Sequence, residues 1–173
     1  MSDKKYIIGI TDFVTPPIGP ETAGFPEAEF VFLKDWRESE QALEEWRSVD
    51  GILIWHYRID RETAGVLDNC KIAGRYGAGY DVVDVEALRD RGVVFCNTPG
   101  GGTTEVADTA CAMILSLQRK IFHYNHTCKQ DTEEWQKVLA PIHRTNRSVL
   151  GIVGLGRIGY AVFERMRPFG WTI

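Results

Sequence analysis

The sequence has few cysteines, and none of them lies close to another. Cys70, Cys96, Cys111 and Cys128 are spread over the chain, and no CxxC pair occurs among its 173 residues. Zinc sites and redox motifs use cysteines at short fixed spacing, and disulfide frameworks use a higher density of them. The spacing therefore argues against a metal site or a disulfide framework, and we expect the cysteines to be small core residues.

Long basic runs and long apolar runs are also missing. Lysine and arginine never form a run longer than a pair, and the net charge is −4. Both observations disfavour a nucleic-acid surface. No stretch reaches the roughly 18 apolar residues of a membrane span, and the first apolar run is too short for a signal peptide. We therefore expect a cytoplasmic protein without nucleic acid or a membrane as a direct partner.

Glycine, by contrast, occurs in a pattern that indicates a ligand. A short apolar run at residues 149–153 leads into Gly154-Leu-Gly156-Arg-Ile-Gly159, and a helical pattern follows. Strand, glycine turn and helix form the dinucleotide-binding fingerprint, in which backbone N–H groups at the helix start face the phosphates. The alternative is a glycine-rich turn in an unrelated α/β protein.

The acidic residue that completes this fingerprint is absent. It is expected about 20 residues further on, at the end of the second strand, where it binds the ribose. The only acid after Gly159 is Glu164, inside the predicted helix, and the sequence ends at Ile173. The sequence therefore leaves NAD and NADP undistinguished.

Strands and helices alternate before this turn. Apolar runs predict strands at 6–10, 29–33, 52–55, 71–76 and 93–96, and helical patterns lie at 38–46, 61–67 and 84–91. Four prolines in the segment 16–26 predict a loop with at most a short helical turn. Such alternation indicates a parallel α/β sheet, which binds ligands beyond the carboxyl ends of its strands.

Two of those strand ends carry unusual residues. His56 follows one strand, and Arg75 with a turn containing Gly77 and Gly79 follows the next. Backbone N–H groups in such a turn could hold a carboxylate beside a guanidinium. The alternative is a glycine turn with a surface arginine, and for His56 the alternative is a structural role.

A glycine-rich hinge precedes the second half of the chain. The run Gly100-Gly101-Gly102 is followed by a predicted helix at 103–119 that is apolar on two faces. We expect this helix to be buried on most sides, either in the core or against a second subunit. Residues 123–141 are predicted to form a connecting helix and loop.

Four segments together resemble a known family. They are RYGAGYDVVDVEALRDRGVVFCNTP from Arg75, TTEVADTACAMILSLQRKI from Thr103, WQKVLAPIHR from Trp135 and SVLGIVGLGRIG from Ser148. They resemble the D-isomer-specific 2-hydroxyacid dehydrogenases, especially phosphoglycerate-dehydrogenase-like and C-terminal-binding-protein-like members. The resemblance covers nearly the whole chain.

The resemblance implies a two-domain organisation. Residues 1–99 correspond to the first part of a flavodoxin-like substrate domain. Residues 100–173 correspond to a dimer-forming helix and the beginning of a Rossmann coenzyme domain. The family then implies a homodimer with its active site in the cleft between the two domains.

The resemblance also assigns roles to individual residues. The substrate site comprises the N–H groups of Gly77, Ala78 and Gly79, together with Arg75 and His56. The cofactor site comprises Gly154, Gly156, Arg157, Ile158 and Gly159, with Thr98 reaching the cofactor from the other domain. The family's catalytic arginine, glutamate and histidine correspond to positions beyond Ile173, so no catalytic residue is assigned here.

The implied activity is the NAD(P)-dependent interconversion of a D-2-hydroxy acid and a 2-keto acid. We expect NAD as cofactor, with NADP open, and a small 2-hydroxy or 2-keto acid as substrate. The alternative is a dinucleotide-sensing binding protein of the corepressor kind, and a third reading is an incomplete protein without activity. The sequence departs from the family at Gly100-Gly101-Gly102 and at Thr109, where many members have a histidine.

Overall fold

The chain divides into two compact units, Met1–Pro99 and Gly100–Ile173. The structure, a computed structural model, describes residues 5–12, 14–130 and 142–173. The first unit contains a parallel sheet, and the second contains the glycine turn. The roles of the two units as substrate and coenzyme domains stay predictions.

The first unit is built on a five-stranded parallel sheet. The strands are β1 (Tyr6–Thr11), β2 (Ala28–Leu33), β3 (Gly51–Ile54), β4 (Ile72–Arg75) and β5 (Val94–Cys96). Their order in the sheet is β2-β1-β3-β4-β5, with every neighbouring pair parallel. This is the flavodoxin-like order. The predicted fold class is therefore confirmed.

Four helices connect these strands. They are α1 (Gly19–Gly24), α2 (Glu40–Ser48), α3 (Arg61–Gly65) and α4 (Val85–Asp90). The side chains of Ser39, Asp60 and Asp84 each accept a hydrogen bond from the N–H three residues on, so α2, α3 and α4 begin at side-chain caps. The proline-rich segment contains only the short α1, as predicted.

One face of the sheet is closed by an apolar core. Trp46 of α2 packs there with Ile52 and Ile54 of β3 and with Leu88 of α4. The Trp46 indole is fully buried, and its Nε1 donates a 2.7 Å hydrogen bond to the Lys34 carbonyl. Replacing such a side chain with alanine typically costs about 3 to 5 kcal/mol, so this face holds the unit together.

The opposite face of the sheet is apolar and open. Phe32, Ile72 and Val94 lie on it, and Phe25 follows α1 beside it. These side chains expose between 40% and 63% of their surface. Among the described residues, this face therefore has no cover comparable to that of the Trp46 side.

The second unit is organised by a pair of packed helices. These are α5 (Thr103–Gln118) and α7 (Arg157–Met166), with α6 (Ile121–Gln130) between them in sequence. Ala107 and Cys111 of α5 are buried against Val162 and Met166 of α7. The connecting segment at 131–141 lies outside the described residues.

One expectation for this unit is wrong, and another stays a prediction. Residues 149–153 do not form a buried strand: Val149 makes a single parallel bridge to Thr172, and Val153 is fully exposed. An apolar run forms a strand only where neighbours complete its hydrogen bonds and cover its side chains. Within the described residues, helix α5 is covered on its face towards α7 while Met113 and Leu117 are mostly exposed, so its burial against a second subunit stays a prediction.

Candidate functional site

The carboxyl ends of β1 and β3 are joined by the carboxylate of Asp12. Its Oδ1 accepts a hydrogen bond from the N–H of His56, and its Oδ2 accepts one from the N–H of Tyr57, both at 2.8 Å. Asp12 has a φ of 50°, a left-handed conformation that aspartate tolerates better than most residues. The carboxylate thus fixes the backbone on which His56 stands.

Sequence reasoning missed Asp12. The signal that was available is a polar pair, Thr11-Asp12, directly after the first strand of a parallel sheet. Such a position lies at the ligand-binding edge.

Arg75 is the last residue of β4 and lies beside the glycine turn that follows it. A methyl group at Gly77 would come within 3.0 Å of the Arg75 Nη1, so the guanidinium packs on the bare backbone of this glycine. Within the part of the chain that the structure describes, Arg75 has no ion-pair partner, and its buried Nε has no hydrogen-bond partner. A cation placed in this way can receive an anionic ligand.

The turn at residues 77–79 is braced by the segment after β5. Asn97 Nδ2 donates to the Ala78 carbonyl at 2.7 Å, and the Thr98 N–H donates to the Gly77 carbonyl at 3.1 Å. The Thr98 hydroxyl donates to the Arg75 carbonyl at 2.6 Å. The carbonyl groups of Arg75, Gly77 and Ala78 thus all accept hydrogen bonds from the segment after β5.

The N–H groups of this turn, unlike its carbonyl groups, are not engaged by other described residues. Across the described ranges, the N–H groups of Ala78 and Gly79 donate no hydrogen bond, and both residues are exposed. Two free backbone donors beside an unpaired guanidinium match the donors that a carboxylate accepts. The contribution of Thr98 to a cofactor site stays a prediction. The hydrogen bond by which Asn97 holds the turn was not predicted from the sequence.

His56 lies at the same edge of the sheet, in an aromatic surrounding. Its ring centroid is 5.8 Å from that of Trp55, and the Trp55 centroid is 5.8 Å from that of Tyr76. The Tyr76 hydroxyl donates a 3.0 Å hydrogen bond to Glu21 of α1. Burial and the Glu21 carboxylate raise the pKa of Tyr76 above its ordinary value, so the phenol stays protonated and keeps this hydrogen bond.

The glycine turn of the second unit is tightly folded at the start of α7. Gly154 has a φ of 91°, and a methyl group at Gly159 would overlap the Gly154 carbonyl oxygen. Gly156 is the N-cap, and a methyl group there would meet nothing within 4 Å. The turn therefore needs glycine at Gly154 and Gly159 for its own folding, and at Gly156 it leaves room for a ligand.

This second site fits a pyrophosphate. Because a glycine caps α7, no capping side chain occupies the N–H groups of its first turn, and Arg157 and Ile158 are exposed there. No acidic residue lies in this first turn. A helix start with free N–H groups and no negative side chain is favourable for phosphate.

The described residues contain neither a metal-binding cluster nor a membrane-spanning helix. In residues 5–12, 14–130 and 142–173, no group of three His, Cys, Asp or Glu side chains is placed to hold a metal ion. None of the helices in those ranges has the length and apolar character needed to cross a bilayer.

Comparison with known proteins identifies a single family. The sequence model for the catalytic domain of D-isomer specific 2-hydroxyacid dehydrogenases matches residues 12–164. D-3-phosphoglycerate dehydrogenase of Sus scrofa is 33% identical over 141 residues, which is 81% of this chain and 26% of that protein. Glyoxylate reductase of Thermococcus litoralis is 31% identical over 172 residues, which is 93% of this chain and 52% of that enzyme.

A solved structure agrees with these matches. The NADPH-dependent glyoxylate/hydroxypyruvate reductase of Sinorhizobium meliloti, in complex with NADP and malonate, superposes with a TM-score of 0.76 at 28% identity. The match covers 97% of this chain and 52% of that one. The chain thus spans between about a quarter and a half of the length of the relatives it matches.

Proposed function

Because the chain belongs to the D-isomer-specific 2-hydroxyacid dehydrogenase family, we propose that it forms part of an NAD(P)-dependent oxidoreductase that interconverts a D-2-hydroxy acid and a 2-keto acid. The observation that carries this proposal is that, among the described residues, no partner pairs with the Arg75 guanidinium or accepts from the N–H groups of Ala78 and Gly79 beside it. Every substrate of this reaction class carries a carboxylate next to the reacting carbon.

The first unit binds and orients the substrate. The N–H groups of Ala78 and Gly79 donate to the carboxylate, while the Arg75 guanidinium balances its charge. His56, at the end of β3, lines the same edge. Because the turn is braced by Asn97 and Thr98, it is preformed, and a preformed site loses little entropy when it binds a ligand.

The second unit holds the cofactor phosphates. The N–H groups of Arg157 and Ile158 at the start of α7 donate to a pyrophosphate, and Gly156 lets it approach the backbone. A bound nicotinamide dinucleotide supplies the hydride that reduces the keto acid, or accepts it in the reverse direction. The relative from Sinorhizobium meliloti contains NADP, and the proposal covers both NAD and NADP.

Helix α5 forms the dimer interface in this proposal. Val106, Met113 and Leu117 expose 49%, 64% and 73% of their surface. They lie on one side of the helix, away from the face that packs on α7, and exposed apolar patches of this kind are typical of interfaces. Leu117→Glu should convert a dimer to monomers in sedimentation, whereas Thr104→Glu, exposed on the opposite side of α5, should not.

The carboxylate site can be tested by NMR on the ¹⁵N-labelled 173-residue chain, with oxamate as an unreactive analogue of a 2-keto acid. We expect oxamate to shift the amide signals of Ala78 and Gly79. Arg75→Ala should weaken binding about tenfold or more, because a hydrogen bond to a charged group is lost. Arg89→Ala is the matched control, since Arg89 is exposed on α4 and, within the described residues, its side chain forms one ion pair, with Glu86.

Two outcomes would contradict the proposal. Oxamate could leave the signals of residues 77–79 unchanged at saturating concentration, or it could bind equally well to Arg75→Ala. If, in addition, NADH or NADPH changed the oligomeric state, the dinucleotide-sensing binding protein would become the better explanation.

A further inference from the structure

A surface pocket of the second unit contains two arginines without an acidic partner. The pocket has a volume of about 580 Å³ and is lined by Leu115, Arg119, Arg144, Thr145, Asn146 and Phe169. Arg119 and Arg144 are exposed, and within residues 5–12, 14–130 and 142–173 neither guanidinium forms an ion pair or a hydrogen bond. Two like charges that share a pocket are stabilised by an anion placed between them.

Hydrogen bonds fix the backbone around this pocket. Gln118 Nε2, at the end of α5, donates to the carbonyl of His143 at 2.8 Å, one residue before Arg144. The Thr145 hydroxyl donates to the carbonyl of Phe169 at 2.7 Å. Three separate segments of the unit are thus tied together around the pocket. A site on a backbone that is already fixed loses less entropy when it binds a ligand.

The charge of the second unit also favours an anion. Residues 100–173 contain nine basic and six acidic residues, whereas residues 1–99 contain eleven and eighteen. The acids in the described part of the second unit are Glu105, Asp108 and Glu164, and none of the three lines the pocket. Asp108 is paired with Arg165. The positive charge of the two pocket arginines is therefore available to a ligand.

The pocket is separate from the glycine turn. Helix α7 begins directly after Gly156, and Phe169 follows its other end. A helix of ten residues is about 15 Å long. A phosphate in the pocket is therefore not the pyrophosphate of the proposed cofactor site.

We propose that this pocket binds a phosphorylated small molecule. The phosphate lies between the guanidinium groups of Arg119 and Arg144, which can each donate two parallel hydrogen bonds to it, and the exposed Asn146 adds an amide donor. Phe169, with 48% of its surface exposed, and Leu115 offer an apolar surface to the organic part of the ligand. A phosphate monoester has three acceptor oxygens for these donors, whereas a carboxylate has two.

Compensation of helix dipoles is the main competing explanation for the two arginines. Arg119 is the C-cap of α5, where a positive charge is favourable. Arg144, by contrast, immediately precedes the short 3₁₀ helix Thr145–Arg147, and a positive charge at the start of a helix is unfavourable. The dipoles therefore account for Arg119 and not for Arg144.

Inorganic phosphate and phenyl phosphate test the proposal by NMR on the ¹⁵N-labelled 173-residue chain. We expect both ligands to shift the side-chain Nε–H signals of Arg119 and Arg144. Phenyl phosphate should bind about tenfold more tightly, since its ring is buried against Phe169 and Leu115. Arg144→Gln should weaken the binding of both ligands about tenfold or more, because hydrogen bonds to a charged group are lost.

Arg147→Gln is the matched control. Arg147 is exposed in the same 3₁₀ helix but does not line the pocket, so this variant removes an equal charge and should change the affinity by less than about twofold. Arg119→Gln should weaken binding as Arg144→Gln does, and it serves if the Arg144 variant is unfolded. The amide signals of Arg157 and Ile158 report phosphate at the glycine turn separately.

Four results would overturn the proposal. Saturating phenyl phosphate could leave the signals of Arg119 and Arg144 unchanged, or the ligands could shift only those of Arg157 and Ile158. Arg147→Gln could weaken binding as much as Arg144→Gln, which would mean a general attraction to the positive unit. The arginine signals could also shift on dilution and not with phosphate, which would make the pocket a contact between copies of the chain. None of these results bears on the carboxylate site, which residues 77–79 report.

Discussion

At the scale of single residues, the proposed substrate site depends on polar groups that act on backbone atoms. Asp12 holds the N–H groups of His56 and Tyr57, and Asn97 and Thr98 hold the carbonyl groups of the turn after β4. None of these contacts is local in sequence. The positions of His56 and Arg75 are therefore properties of the folded sheet rather than of their own segments.

Removal of Asp12 should loosen this arrangement. Asp12→Ala eliminates two charge-assisted hydrogen bonds to backbone N–H groups and places alanine at a φ of 50°. Together these effects should lower the free energy of unfolding by about 2 to 4 kcal/mol. Urea unfolding followed by tryptophan fluorescence measures the change, with the exposed Glu44→Ala as a control that stays near the parent. A loss below about 0.5 kcal/mol would show that the two hydrogen bonds of Asp12 are not important for stability.

Asp60 should make stability depend on pH in the acid range. The N–H of Thr63 donates to its carboxylate, and this hydrogen bond holds the pKa of Asp60 below its ordinary value. Because the folded pKa is depressed, the stabilisation is complete above the unfolded pKa of about 4 and is lost as the pH falls through the folded value. Asp60→Asn keeps a capping oxygen but does not titrate.

The variant should therefore show a shallower loss of stability than the parent between about pH 5 and pH 2. The midpoint of urea unfolding, measured across this pH range for the variant and the parent, tests this prediction. Parallel curves would mean that Asp60 does not contribute to the acid sensitivity.

At the scale of elements, the sequence predicts what depends on local pattern. The alternation of apolar runs with helical patterns predicts all five strands of the first unit, and the helical pattern from residue 84 marks the start of α4, which Asp84 caps. The run at 149–153 has the same apolar character, yet it makes one bridge to Thr172 because the described residues supply no sheet around it. Pattern alone specifies the tendency to form a strand, and neighbours decide the outcome.

The site was predictable to the same extent. Arg75 and the glycines after it were predicted as site residues from residue types and resemblance, since they follow a strand in one continuous motif, and their role stays a prediction. Asp12 was not found, because its role depends on a contact with a backbone 44 residues away. The two apolar faces of α5 predict two partners, and within the described residues α7 covers one of these faces, so the partner of the other face stays a prediction.

The turn between residues 154 and 159 should tolerate no side chain at its last glycine. Gly159→Ala would drive a methyl group into the Gly154 carbonyl, which is backbone and cannot rotate away. The start of α7 must then shift, and its packing on α5 through Met166 and Ala107 is weakened. We expect a loss of about 1 to 3 kcal/mol and reduced helix content by circular dichroism.

Gly151→Ala is the matched control, because a methyl group there meets nothing within 4 Å. Equal stability of the two variants would mean that the turn has a different conformation in solution.

At the scale of the whole molecule, both units carry surfaces that the described residues leave open. In the first unit these are the apolar residues of the uncovered sheet face, and in the second they are Val153 and Leu155 beside the glycine turn. The exposed surface of the first unit lies on the sheet that carries the proposed substrate site, and that of the second unit lies next to the proposed cofactor site. The affinity of the isolated chain for ligands is therefore set by the contacts that the described residues do provide.

For a dinucleotide, the proposed contacts are the N–H groups at the start of α7. Beside these groups, Val153 is fully exposed and Leu155 is 66% exposed. Exposed phosphate contacts are screened by salt over about 8 Å at physiological ionic strength. We therefore expect the 173-residue chain to bind NADH only in the millimolar range, about as weakly as inorganic pyrophosphate, and to reduce no 2-keto acid. A titration of NADH followed by its fluorescence, repeated at high salt and in competition with pyrophosphate, tests this expectation. Saturable micromolar binding that pyrophosphate fails to displace would show that one glycine turn and one helix are sufficient for cofactor recognition.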